Sequence, residues 1–190
     1  MGSSKKSRAA TGRPYREQIV SALCDKSVKP ETEGGVQCIG LQWGTPRPNI
    51  QSPINTMHTP LSVLFVPHGS PMFALHPGAA GAAMSALVPQ LGKPRAIVVV
   101  SPHWETAAPT VGFATRPETI HDFGGFDPRL YEMQYPATGC PEVAAQVVNA
   151  LQAAGLPVAQ DPGRGLDHGA WIPLRQMFPD ADIPVVPLSV

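Results

Sequence analysis

Two short apolar runs that each end in a histidine constrain this chain more than anything else in it. LSVLFVPHGSP at 61–71 delivers His68, and AIVVVSPHW at 96–104 delivers His103. Runs of Val, Leu, Ile and Phe without polar alternation are the pattern of strands buried on both faces of a sheet. In a mostly parallel sheet, ligands bind beyond the carboxyl ends of the strands. Both histidines follow their runs by the same short interval, so neighbouring strands would bring both imidazoles to one edge. Neutral imidazole is the commonest protein metal ligand and suits Zn and Fe. A lone histidine after a strand more often just holds its turn by hydrogen bonding. The same turn occurring twice favours a shared polar site.

Four of the six histidines sit in small turns bearing Gly or Pro: His68 in VPHGSP, His103 in SPHWE, His121 in IHDFGG and His168 in LDHGAW. His58 and His76 lack such context and read as surface or structural. His168, between Asp167 and Gly169, suits proton transfer or holding a substrate oxygen, and equally suits locking its own turn. His121 and Asp122 are candidates for lining the mouth of the site; a turn held by the Asp side chain ahead of Gly124 and Gly125 is the plainer alternative. Trp104, Phe123, Phe126 and Trp171 offer flat walls for an aromatic substrate, although core packing is the commoner use of any one of them. Ser70 has no Gly-x-Ser-x-Gly around it, and no Gly-rich phosphate loop is present.

The remainder of the chain reads as a layered α/β domain. Its 190 residues suit one domain with a proper core. Strands are expected at 61–66, 96–100, 110–114, 156–160 and in the final IPVVPLS. Helices are expected at 78–91, at 141–154 and near 171–178. In the helix at 141–154, Pro141 suits the first position, Val143, Val147, Leu151 and Ala154 form one stripe, and Gly155 with Pro157 ends it. Alternating strands and helices predict a mostly parallel or mixed central sheet flanked by helices. Residues 115–140 read as a loop too rich in functional side chains to be a mere connector.

Charge excludes some partners. Lys plus Arg equals Asp plus Glu at 14 each, which gives no reason to expect nucleic acid or a membrane surface. Residues 1–56 carry eight basic and four acidic residues, and residues 57–190 carry six and ten. The basic stretch 1–56 has weak apolar periodicity, with at most two helical turns at 16–24. It is expected to be a disordered leader or a non-native extension ahead of Met57, with a regulatory extension as the alternative. No apolar run approaches the ~20 residues that span a bilayer, and the N-terminal residues lack the apolar stretch expected of a secretory signal. Three cysteines without metal-type spacing fit a reducing compartment, so a cytoplasmic location is expected.

HGSPM, IVVVSPHW, TIHDFGGF, the YPA at 135–137, DHGAW and FPDADIPVVPLS together resemble the class III extradiol ring-cleavage dioxygenases. Within these the chain is most similar to the DOPA-dioxygenase branch, related to the LigB-type catalytic subunit. The resemblance runs through residues 61–190 and leaves out 1–56. It implies that His68 and His103 are metal ligands and that His168 is an acid/base or substrate-orienting group. It also implies that the His121–Gly125 turn, with Asp122, lies near the substrate. The implied reaction opens a catechol ring beside its hydroxyls with O₂, using Fe(II); Zn(II) suits the same donors but has no redox chemistry. The family's chain continues past the point where this one ends, into a Gly-Asn-x-x-His segment and a further His. Residues 57–190 are therefore expected to be the N-terminal part of such a domain, with two of its metal ligands. The rival from another class is a non-catalytic Memo-like binding protein on the same scaffold. A zinc hydrolase is disfavoured, since only Glu105 stands near a His turn as a water-activating base.

Overall fold

The computed structural model describes residues 63–190. The expectations for the 1–56 leader, for Met57 as a start and for His58 lie outside the described residues. So do the first two residues of the 61–66 run.

The two long helices form where composition and end signals agree. Helix α1, Gly78–Leu91, is Ala-rich and stops at Gly92, whose φ of 66° suits a residue without a side chain. Strands β1 (Ile97–Val100) and β2 (Thr110–Gly112) follow, then a single-turn helix α2 (Arg129–Glu132) inside the expected loop. Helix α3, Pro141–Ala153, starts on the proline, where the missing N–H has no helical partner to lose. Its Val143, Ala144, Val147, Val148 and Leu151 are buried, spaced by three and four. The expected stripe thus ends at Leu151; Ala154 lies beyond the helix and is exposed. Gly155 at φ 79° turns the chain, and the Leu156 N–H donates back to Leu151 O at 3.0 Å. Strand β3 (Ala159–Asp161), helix α4 (His168–Met177) and strand β4 (Val185–Leu188) complete the described chain.

The sheet is mixed, in the order β1-β4-β2-β3. β4 pairs in parallel with β1, from Ile97 opposite Val185 to Val100 opposite Leu188. β2 pairs in parallel with β3 and antiparallel with β4, the latter at Val111 opposite Leu188. That antiparallel pair is short for a visible reason. Pro187 has no N–H to give, and its ring occupies the space where a side chain at 112 would go. A Cβ on Gly112 would lie 2.5 Å from Pro187 Cγ.

Side-chain alternation along β4 divides the core in two. Val186 and Leu188 join Val111 and the α3 stripe on one face. Val185 joins Tyr135, Leu166, Trp171, Ile172 and Leu174 on the other, under α4. β4 is buried throughout because helices cover both of its faces.

Three expectations are corrected. Residues 63–66 form no strand, and Phe65 is fully exposed at 102%. An apolar run becomes a strand only where a sheet edge takes its backbone hydrogen bonds, and among the described strands β1 pairs with β4 alone. The strand expected at 156–160 begins at Ala159, since Leu156 is still tied to the end of α3 and pairing with β2 starts opposite Thr110. The helix expected near 171 begins at His168, because the Asp167 side chain accepts from the Ala170 N–H and caps it.

Leu151, fully buried between α3 and the sheet, is expected to lose about 2–5 kcal/mol of stability on Leu151→Ala, read by urea unfolding. Tyr135 is also buried and donates to Phe178 O at 3.1 Å. Burial first, and the Asp182 charge second, push its pKa from 10.0 up to about 12. The unfolded chain therefore releases this proton first. The stabilisation is complete below pH 10.0 and is lost as pH rises toward about 12. Comparing unfolding across that window should show a decline in the wild type that is reduced in Tyr135→Phe.

Candidate metal centre

Two turns and one helix start supply the site. His68 lies just before Gly69, whose φ of 62° reverses the chain into the 3-10 turn Pro71–Ala74. His103 lies three residues past the end of β1, and His168 is the first residue of α4. Their rings converge. His68 Nε2 is 3.3 Å from His103 Nε2. Ring centroids are 4.8 Å apart for His68 and His103, 5.3 Å for His68 and His168, and 4.0 Å for His103 and His168. One ring nitrogen from each lies within 4.8 Å of the others. The sequence expectation that the turns at 68 and 103 reach one edge is met, and His168 comes to the same point.

Hydrogen bonds fix which nitrogens are free. His168 Nδ1 lies 2.9 Å from Asp122 Oδ1, which also accepts the His168 backbone N–H at 2.9 Å. A carboxylate only accepts, so Nδ1 is the donor, and in the neutral ring Nε2 keeps its lone pair. The other Asp122 oxygen lies 3.9 Å from His103 Nδ1. Burial alone would raise the Asp122 carboxyl; the hydrogen bonds from the His168 backbone and ring outweigh it and leave the pKa below the usual value. A carboxylate behind a histidine, with the far nitrogen free, is found both behind metal-bound imidazoles and behind histidines that carry protons. His68 Nδ1 is buried without a hydrogen-bond partner. An imidazole set with unspent nitrogens suits Fe(II) or Zn(II), so these residues fit a divalent metal.

His121 stands apart from the three. Its Nε2 donates to Met133 O at 2.9 Å, and its ring packs beside Phe123, Tyr131 and Trp171. Phe123 meets His168 edge-on at 5.7 Å and continues to Phe126 and Tyr131, both partly exposed. Trp171 is fully buried and donates to Ile120 O, so it is core. His76 is exposed.

The profile of the catalytic LigB subunit of aromatic ring-opening dioxygenase matches residues 62–190. The chain belongs to that family. Among its relatives, the 4,5-DOPA dioxygenase extradiol of Escherichia coli is 46% identical over 133 residues, 70% of this chain and 48% of the relative. The protein of the same name from Beta vulgaris is 52% identical over 99 residues, 52% of this chain and 37% of the relative. Dioxygenase tasH of Hapsidospora irregularis is 50% identical over 99 residues, 52% of this chain and 31% of the relative. The chain thus spans less than half the length of these curated relatives. An uncharacterized protein from Escherichia coli K12 of solved structure is 37% identical, with a TM-score of 0.46, over 60% of this chain and 41% of that one. No helix among the described residues is long and apolar enough to cross a membrane.

Sequence reasoning named the four turn histidines and Asp122. It assigned no role to Ser101, whose hydroxyl is buried beside His103, or to the Asp167 carboxylate. Asp167 adjoins His168 in the sequence and Ser101 lies two residues before His103, and that nearness was their sequence signal.

Asp122→Ala removes the acceptor for the His168 ring. Nitrogen NMR of the His168 ring is then expected to show both tautomers in place of the Nδ1–H form. Circular dichroism checks that the fold persists, as expected for a side chain 25% exposed.

Proposed function

We propose that this chain carries the metal-binding part of an Fe(II)-dependent extradiol dioxygenase that opens the ring of a DOPA-like catechol with O₂. The observation that supports this most is the convergence of His68, His103 and His168, with His168 Nε2 left free by its bond to Asp122. Membership of an aromatic ring-opening family, and relatives named 4,5-DOPA dioxygenase extradiol, support the reaction class and substrate.

In this reading His68 and His103 are metal ligands, and His168 is the proton carrier. Fe(II) bound there would supply open positions for both reactants and electrons for O₂, whereas Zn(II) would fit the same donors without redox chemistry. His168 Nε2 takes a proton from a catechol hydroxyl, and the Asp122 carboxylate behind Nδ1 stabilises the imidazolium so formed. The same ring returns the proton as the chain of ring atoms opens. Both oxygen atoms end in the product, a muconic-semialdehyde-type acid. Asp122 holds His168 in the tautomer that this transfer needs. His121, fixed by the Met133 carbonyl, continues the aromatic wall of Phe123 and Tyr131 against which the substrate ring lies.

Anaerobic loading of the full-length protein with Fe(II), addition of catechol or DOPA, then admission of air is expected to give a yellow product and matching O₂ consumption. His168→Ala should lower turnover about 10²–10⁴-fold, the usual contribution of general acid–base catalysis, while bound iron stays at the wild-type level. Iron-loaded protein that neither colours nor consumes O₂ rejects the reading.

A further inference from the structure

We propose that Ser101 and Asp167 form a positioning relay that holds the His103 turn, and with it the His103 imidazole, against His68 and His168. This inference rests on the reading of His68 and His103 as metal ligands. Ser101 Oγ donates to Asp167 Oδ1 at 2.5 Å, and the same oxygen accepts the His103 backbone N–H at 3.2 Å. The relay therefore joins the turn after β1 to the start of α4, 66 residues away in the chain.

Asp167 is a fixed anchor for this purpose. It is 2% exposed, and its two oxygens are fully engaged. Oδ1 also accepts the Ala170 N–H at 3.2 Å, capping α4. Oδ2 accepts from Arg164 Nη2 at 2.6 Å, and the Arg164 guanidinium lies 4.7 Å from the centre of the Trp104 ring. Swinging the carboxylate out would strand a largely buried guanidinium and uncap the helix, each destabilising. Trp104 follows His103 directly, so Asp167 grips that turn twice: through Ser101 on one side and through Arg164 on Trp104 on the other.

The fit leaves no slack. A Cβ on Gly169 would lie 2.5 Å from Ser101 Oγ and 2.7 Å from His103 Cδ2. The first turn of α4 thus abuts the His103 ring while presenting His168 beside it. Ser101 is the informative position, because its hydroxyl bonds only connect Asp167 with His103. The cap, the Arg164 pair and the β1–β4 pairing all survive its removal. A slackened ligand turn lowers metal affinity much as loss of other outer-shell partners does.

The test is Co(II) titration of the 190-residue chain, reading affinity and the visible d–d spectrum. Ser101→Ala is expected to weaken Co(II) about tenfold or more and to shift the spectrum. Gly169→Ala should change both in the same direction. Leu151→Ala, remote from the site, is the control for stability: it should unfold more easily than Ser101→Ala yet keep the wild-type cobalt spectrum. Wild-type affinity and spectrum in Ser101→Ala overturn the relay. If the wild-type chain takes up no Co(II), the metal reading fails separately, and amide hydrogen exchange decides the relay. Faster exchange of the His103 N–H in Ser101→Ala supports it, and unchanged exchange overturns it.

Discussion

The bond between Asp122 and His168 orders everything around it. A neutral imidazole has one N–H and one lone pair, and the carboxylate claims the N–H. The lone pair is thereby aimed at the place where His68 and His103 also bring ring nitrogens. Nitrogen lone pairs brought together in this way repel unless a proton or a metal ion lies between them. At 3.3 Å the His68 and His103 nitrogens can share a proton, and Asp122 is what brings the His168 ring to the same point.

The fold serves this point by bringing distant stretches to one end of the sheet. β4 lies in the middle with helices on both faces, and β1 runs parallel to it, so the turn carrying His103 emerges at the same end as the residues that follow β4. Hydrogen bonds from Thr106 to Val190 and from Val190 to Trp104 carry that alignment past the strands. α4 packs under the same sheet through Trp171, Ile172 and Leu174 and so delivers its first turn there. Core burial fixes the helix, and the helix start fixes His168. The geometry of the histidine site is in this sense a consequence of where the apolar stripes are buried.

Much of this was legible from the residues. The helices at 78–91 and 141–153 carry their own end signals, a small-residue composition in one case and a Pro start with an apolar stripe in the other. The turns at His68 and His103 announced themselves by repetition. What failed was whatever depended on a distant partner. The run at 61–66 looked like a strand from its composition, yet composition cannot supply a neighbouring edge. The LDHGAW stretch looked like a loop because its small polar residues also favour turns, and the cap from Asp167 to Ala170 decided for helix. Ser101 looked ordinary because a serine's importance here lies in Asp167, which is far off in the chain.

The amino-acid order by itself set the local chemistry: which stretches are apolar, where helices can begin and stop, and that four turns each carry an imidazole. Those depend on contacts a few residues apart and are written along the chain. The tertiary structure alone decided that three of the four imidazoles meet while His121 turns to a backbone carbonyl. It also decided that Asp122 faces His168, and that Ser101 and Asp167 lie together. Such pairings arise from sheet order and from the burial of opposite faces of β4, and no local pattern encodes them.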